Sequence, residues 1–125
     1  MINISLANSE HQALVQGYLD AFSSSDLETL EEAAPQLTLS ALVDGRGMAC
    51  PMPLLKTKVA LRSVQPSESV YILATDPNSQ TDLAAFCQQA GLEMVLSTTT
   101  NEGSADGSEK LDTIFHLIIT KTNGN

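Results

Sequence analysis

The stretch Asp44-Gly45-Arg46-Gly47-Met48-Ala49-Cys50-Pro51-Met52-Pro53 decides how this chain is read. Before it, Leu37, Leu39, Ala41 and Val43 alternate with polar residues, which predicts a half-buried strand with those four side chains on one face. Asp44, Gly45 and Gly47 make the turn that ends the strand. Pro51 then stands at a favoured first position of a helix, which runs to about Val64 and is stopped by Pro66. A cysteine at a strand-to-helix junction lies near the unpaired N–H groups of the first helical turn. Those groups and the helix dipole favour a thiolate by roughly 0.3–1 kcal/mol, under about one pKa unit. Pro51 and Pro53 remove two N–H groups and stiffen the approach, while Arg46 and Gly47 belong to the turn that presents the thiol. A thiolate is the nucleophilic form of cysteine.

Working outward, Val70 to Ala74 reads as an apolar strand. Asp76 or Ser79 caps a further helix, with Asp82 completing a Ser-x-x-Asp box. Leu83, Phe86, Cys87 and Ala90 mark its buried face, and Gly91 closes it. Cys87 is thereby a core residue. Leu92–Thr99 and Thr113–Thr120 are two more strands, joined by a Gly/Ser/Asp-rich loop from Asn101 to Glu109. The order β-α-β-α-β-β predicts an α/β two-layer sandwich, a four-stranded mixed sheet with two helices on one face. The other face is either open to water or covered.

Upstream, Leu14, Val15, Tyr18, Leu19 and Phe22 recur at helical spacing over residues 9–22. Ser25 and Glu28 form a capping-box pattern for a second helix from Asp26 to about Ala34, ended by Pro35. The chain divides into an acidic helical extension (1–37), an α/β domain (38–121) and a short tail (122–125). The extension holds six acids and no Lys or Arg. It is one candidate cover for the open sheet face.

On the Cys50 helix, Leu54, Thr57, Leu61 and Val64 face the sheet. Met52, Leu55 and Val59 form a second apolar stripe, flanked by Lys56, Lys58 and Arg62. That stripe either docks a protein partner or lies under the acidic helices as a guard over the thiol.

Composition narrows the function. The chain has 125 residues, a net charge of −9, six basic residues and two cysteines. Phosphate-backbone binding needs clustered Lys and Arg, so direct nucleic-acid binding is not expected. Two cysteines and two scattered histidines make neither a disulfide framework nor a metal site. His116 reads as a strand residue rather than a base. No apolar run is long enough to span a bilayer and no signal-peptide pattern opens the chain, so a cytoplasmic protein, monomeric and without cofactor, is expected.

Cys50-Pro51-Met52-Pro53, followed by Leu54-Leu55-Lys56-Thr57-Lys58, resembles the defining motif of the TusA/SirA-like family. The likeness continues at Thr75-Asp76-Pro77, Asp82-Leu83, Phe86-Cys87 and Gly91. It implies a sulfurtransferase of the sulfur-carrier type. Cys50 would accept persulfide sulfur from a cysteine desulfurase and relay it to a downstream protein, toward tRNA thiolation or another sulfur pathway. Ala49 and Thr81 depart from the arginines common in the tRNA-thiolation carriers. The alternative is a non-catalytic regulator or adaptor of the same fold.

Overall fold

The computed structural model describes residues 2–6, 8–33, 37–48, 52–103 and 111–121. Nine elements follow one another: β1 (Ile2–Ile4), α1 (Ser9–Ala21), α2 (Ser24–Ala33), β2 (Leu37–Gly45), α3 (Met52–Ser63), β3 (Ser69–Ala74), α4 (Pro77–Ala90), β4 (Glu93–Gly103) and β5 (Leu111–Thr120). The strands form one mixed sheet in the order β1-β2-β3-β5-β4. β1, β2 and β3 are parallel neighbours, and β5 runs antiparallel to both β3 and β4.

Two expectations are corrected here. The sheet has five strands, not four, because Ile2–Ile4 adds a parallel edge strand beside Leu37–Leu39. Three residues are too few for a period-two pattern to stand out from the sequence. The chain also builds three layers rather than two. α3 and α4 pack on one face of the sheet, in a core that contains Val43, Leu61, Ile72, Leu83 and Leu117. Residues of α1 and α2, among them Val15, Leu19, Phe22 and Leu30, share the core on the other face with Tyr71, Leu73 and Ile118. The acidic helices therefore cover the sheet, one of the two outcomes left open above.

β2 serves both cores because it changes face partway along. Its register against β3 shifts between Leu39 and Ala41. A bulge of one residue reverses which side later side chains take. Leu37 and Leu39 accordingly join the α1/α2 core, whereas Ala41 and Val43 join the α3/α4 core. The expected single apolar face is thus split in two. β4 repeats the device between Met94 and Leu96: Met94 packs with α4, and Leu96 with the N-terminal helices.

The helix ends follow capping chemistry. Asn8 caps α1, its side chain accepting from the N–H groups of Glu10 and His11. α2 starts two residues earlier than its expected capping box, since the Ser23 hydroxyl accepts from the Asp26 N–H at 3.2 Å. Asp76 caps α4, with Pro77 in its first turn and Gly91 closing it. Lys121 donates to the carbonyls of Leu61 and Val64 at 2.8 and 2.9 Å. That contact satisfies the C-terminal end of α3, where a cation is favoured. Asn101–Gly103, expected in the loop, instead extend β4, and Pro35, the 104–109 part of the expected loop and the 122–125 tail lie outside the described residues.

One polar cluster sits inside the α1/α2 core. His116 on β5 is fully buried. Its Nδ1 lies 2.7 Å from the Tyr71 hydroxyl and its Nε2 2.7 Å from the Thr100 hydroxyl. A neutral imidazole donates at one nitrogen and accepts at the other, so two hydroxyls satisfy it. Burial, with Arg46 adding to it and Asp26 opposing, pushes its pKa down to about 4. A group whose folded pKa lies below its unfolded value of about 6.5 favours folding fully above that value. The contribution is lost as pH falls from about 6.5 toward 4. The unfolding free energy should therefore drop by about 2 kcal/mol between pH 7 and pH 5, read from urea transitions. NMR should place the His116 titration midpoint near 4; a midpoint above 6 contradicts the buried neutral ring.

Candidate functional site

The end of β2 is fixed at its backbone. A Cβ on Gly45 would stand 2.8 Å from the Leu73 carbonyl oxygen and 3.1 Å from Pro53. β2, β3 and the first turn of α3 meet here closely enough that glycine is required. A tight turn follows, in which the Met48 N–H donates to the Gly45 carbonyl at 3.1 Å. Gly47 takes a positive φ of 77°, which a side chain disfavours.

Four side chains hold this turn. Asp44 accepts from Arg46 Nε and Nη2, both at 2.8 Å, and from the Arg46 backbone N–H at 3.2 Å. This is the bidentate geometry that suits guanidinium to carboxylate. The hydrogen bonds from Arg46 hold the Asp44 carboxyl below its ordinary pKa, against a smaller opposing effect of burial. The same pairing raises the Arg46 pKa. The Thr75 hydroxyl, just past β3, accepts from the Gly47 N–H at 2.9 Å. Arg46 Nη1 donates to the Tyr18 hydroxyl on α1 at 3.2 Å.

Ala49, Cys50 and Pro51 lie outside the described residues. In sequence they connect this pinned turn to α3, whose first described residue is Met52. Pro53 is buried in the first turn of α3. Thr57, Leu61 and Val64 turn inward, with relative exposures of 0, 7 and 4%.

The opposite stripe of α3 is uncovered. Met52, Leu55 and Val59 are 45, 46 and 61% exposed. With Lys56 they line an open groove of about 570 Å³ against Leu42 and Asp44 of β2, and His11 borders it. The helical extension therefore does not lie over this stripe and meets it only at the His11 border. Lys58 and Arg62 do not join the groove. Lys58 stands 5.3 Å from the centre of the Phe86 ring, and both basic residues line a separate depression with Gln89 and Leu92. Of the residues read as one docking strip, Met52, Leu55, Lys56 and Val59 come together and Lys58 and Arg62 part from them.

Cys87 is 4% exposed, and burial pushes its thiol up to about 11. It is a core residue, as its helical spacing predicts, and thiolate chemistry is disfavoured there. Sequence reasoning missed Thr75 and Tyr18 as parts of the site. Tyr18 reads as a core residue of α1, and nothing in the linear pattern points to a partner 28 residues away. Among the described residues, no helix is long and apolar enough to cross a membrane.

A mixed sheet whose parallel strand β2 ends in a pinned turn shortly before α3 defines an α/β domain built around one strand-to-helix junction. The family model for sulfurtransferase TusA matches residues 41–105, just over half of the chain, and the chain belongs to that family. It is 31% identical over 80 residues to the sulfur carrier protein TusA of Allochromatium vinosum, covering 64% of this chain and 91% of that protein. A putative sulfur carrier protein of Neisseria meningitidis serogroup A is 36% identical over 80 residues, covering 64% of this chain and 93% of that protein. The sulfur carrier protein TusA of Pseudomonas syringae pv. tomato is 33% identical over 66 residues, covering 53% and 79% respectively.

Proposed function

We propose that this protein is a cytoplasmic sulfur carrier that holds a persulfide on Cys50. The reading is supported above all by the sequence position of Cys50, between the pinned turn ending at Met48 and the start of α3 at Met52, in a chain of the TusA family. The chemistry needs no cofactor. The Cys50 thiolate attacks the outer sulfur of a donor persulfide. The donor's S–S bond breaks, the donor cysteine leaves as thiolate, and Cys50 becomes Cys–S–SH. A downstream thiolate then attacks the same outer sulfur and regenerates Cys50. The transfer is a thiol exchange with no net redox change. The donor is a cysteine desulfurase, the acceptor a downstream relay protein, and the carrier works as a monomer. Pro51 and Pro53 stiffen the junction, and Arg46 and Gly47 hold its base.

A carrier without a base of its own depends on docking. The exposed apolar stripe of Met52, Leu55 and Val59, with Lys56 at its edge, supplies an apolar centre with a charged rim. Incubation with a cysteine desulfurase and ³⁵S-cysteine should label the chain, and a thiol reductant should release the label. A chain that stays unlabelled with every desulfurase tried rejects the carrier reading in favour of an adaptor. Val59→Asp should raise the donor concentration needed for half-maximal labelling about tenfold and leave the unfolding midpoint unchanged. An unaltered concentration dependence removes the stripe from the docking surface.

A further inference from the structure

The relatives share 80 aligned residues with this chain, 64% of its length, and the family match begins only at residue 41. α1 and α2 precede that match. From their contacts we infer that this helical extension is a strut for the turn before Cys50, and that Tyr18 is its positioning residue. The inference rests on the sulfur-carrier reading for its function, and on geometry alone for its structural part.

Arg46 is the keystone of the Asp44–Met48 turn. Its Nε and Nη2 are committed to Asp44, two residues away, on the same short segment. That pair closes the turn on itself and leaves open where the turn sits relative to the rest of the protein. The Gly47 N–H to Thr75 contact fixes it to the end of β3. The third guanidinium nitrogen, Nη1, donates to the Tyr18 hydroxyl and fixes it to α1. Two anchors from separate elements remove the rotation that one would allow.

Tyr18 is itself immobilised. It is 8% exposed. Its ring stands edge-on to His116, with centroids 4.7 Å apart and planes at 66°. His116 is in turn held by Tyr71 and Thr100. Phe22, just past the end of α1, meets the same imidazole edge-on at 5.4 Å. On α2, Asp26 accepts from the Thr98 hydroxyl of β4 at 3.0 Å, which ties the second helix to the far side of the sheet. The hydroxyl that receives Arg46 thus projects from a rigid, doubly attached unit. The pair is part-buried, where a hydrogen bond to a charged group is stronger than at an open surface.

The apolar side of α1 packs on the opposite face of the sheet from α3, and only His11 reaches the border of the α3 groove, so a partner can dock on α3 while Tyr18 braces the turn from behind. Without the brace the turn keeps its internal Asp44–Arg46 pair and gains freedom as a unit. The thiol two residues beyond Met48 then samples more orientations, and fewer of them are productive.

Tyr18→Phe keeps the ring and its contact with His116 and removes the hydroxyl that receives Arg46. In the full-length chain, three readouts separate positioning from general loosening. Amide exchange at Gly47 and Met48 should quicken about fivefold, while that of β3 stays as in the wild type. The pH profile of Cys50 alkylation by iodoacetamide should move up by about half a unit, as the turn before it is less firmly held. Sulfur loading from a cysteine desulfurase should lose about fivefold in kcat with KM unchanged, because the docking groove is untouched. Wild-type exchange and an unmoved alkylation profile in a folded Tyr18→Phe variant overturn the strut. If the variant does not fold, Arg46→Lys in the otherwise native chain removes the same contact from the other side, together with the paired bonds to Asp44. It should quicken Gly47 exchange similarly, and unchanged exchange there overturns the strut as well. A wild-type chain that takes no sulfur, yet shows the exchange and alkylation differences between Tyr and Phe, refutes the carrier reading and leaves the strut standing.

Discussion

Cys50→Ser should abolish sulfur loading completely, whereas Cys87→Ser should load at close to the wild-type rate. The contrast follows from environment. Cys87 is sealed in the α3/α4 core, and burial raises its thiol to about 11. Less than about one part in a thousand is thiolate at neutral pH, and no donor reaches it. Serine at position 50 keeps the size and hydrogen bonding of cysteine but has no sulfur to form a persulfide. Labelling both variants with ³⁵S-cysteine and a desulfurase decides the matter. Equal label in Cys50→Ser and wild type contradicts the assignment. Label lost from Cys87→Ser while the protein remains folded moves the chemistry to α4.

Gly45→Ala should cost about 2–3 kcal/mol of stability. The added methyl would meet the Leu73 carbonyl at 2.8 Å and Pro53 at 3.1 Å. A flexible side chain could yield to it, but a carbonyl within the paired β2–β3 register cannot. Relief therefore requires moving β2 from β3, or α3 from both, and either shifts the Cys50 junction. Gly17 on α1 is the matched control, since nothing lies within 4 Å of its hypothetical Cβ. Gly17→Ala should stabilise by about 0.5–1 kcal/mol through helix propensity. Urea unfolding at neutral pH measures both. A Gly45→Ala chain as stable as wild type would mean that the junction has slack, and the presentation of Cys50 by a fixed turn would lose its basis.

The turn after β2 and the helix that follows it were legible because their signals are local. Gly45 and Gly47 mark the turn, and the proline-rich stretch marks the approach to α3, without reference to distant parts of the chain. The sheet-facing side of α3 and the buried place of Cys87 were legible for a similar reason, since helical periodicity writes a face directly into the spacing. The bulges were not legible. Leu37, Leu39, Ala41 and Val43 keep one spacing through the strand, with Leu42 the single apolar interruption, and the face change at Ser40 goes with helices on both sides of the sheet that take apolar partners from β2. β1 escaped notice because three residues carry too little pattern, and because its pairing depends on a strand 35 residues later. The Tyr18–Arg46 contact is a tertiary fact of the same kind. An amphipathic helix marks Tyr18 as inward-facing but says nothing of what its hydroxyl meets. Lys58 and Arg62 show the opposite error: nearby in sequence to Lys56, they lie around the helix on another surface.

The most direct test of the account is a peptide map of the wild-type chain after loading by a cysteine desulfurase with cysteine, alkylated to preserve persulfides and cut with trypsin. Cleavage after Arg46, Lys56, Arg62 and Lys110 places the two cysteines on separate peptides. The account predicts one extra sulfur atom on the Gly47–Lys56 peptide and none on the Ser63–Lys110 peptide. Extra sulfur confined to the second peptide, or absent from both while the desulfurase turns over, contradicts it.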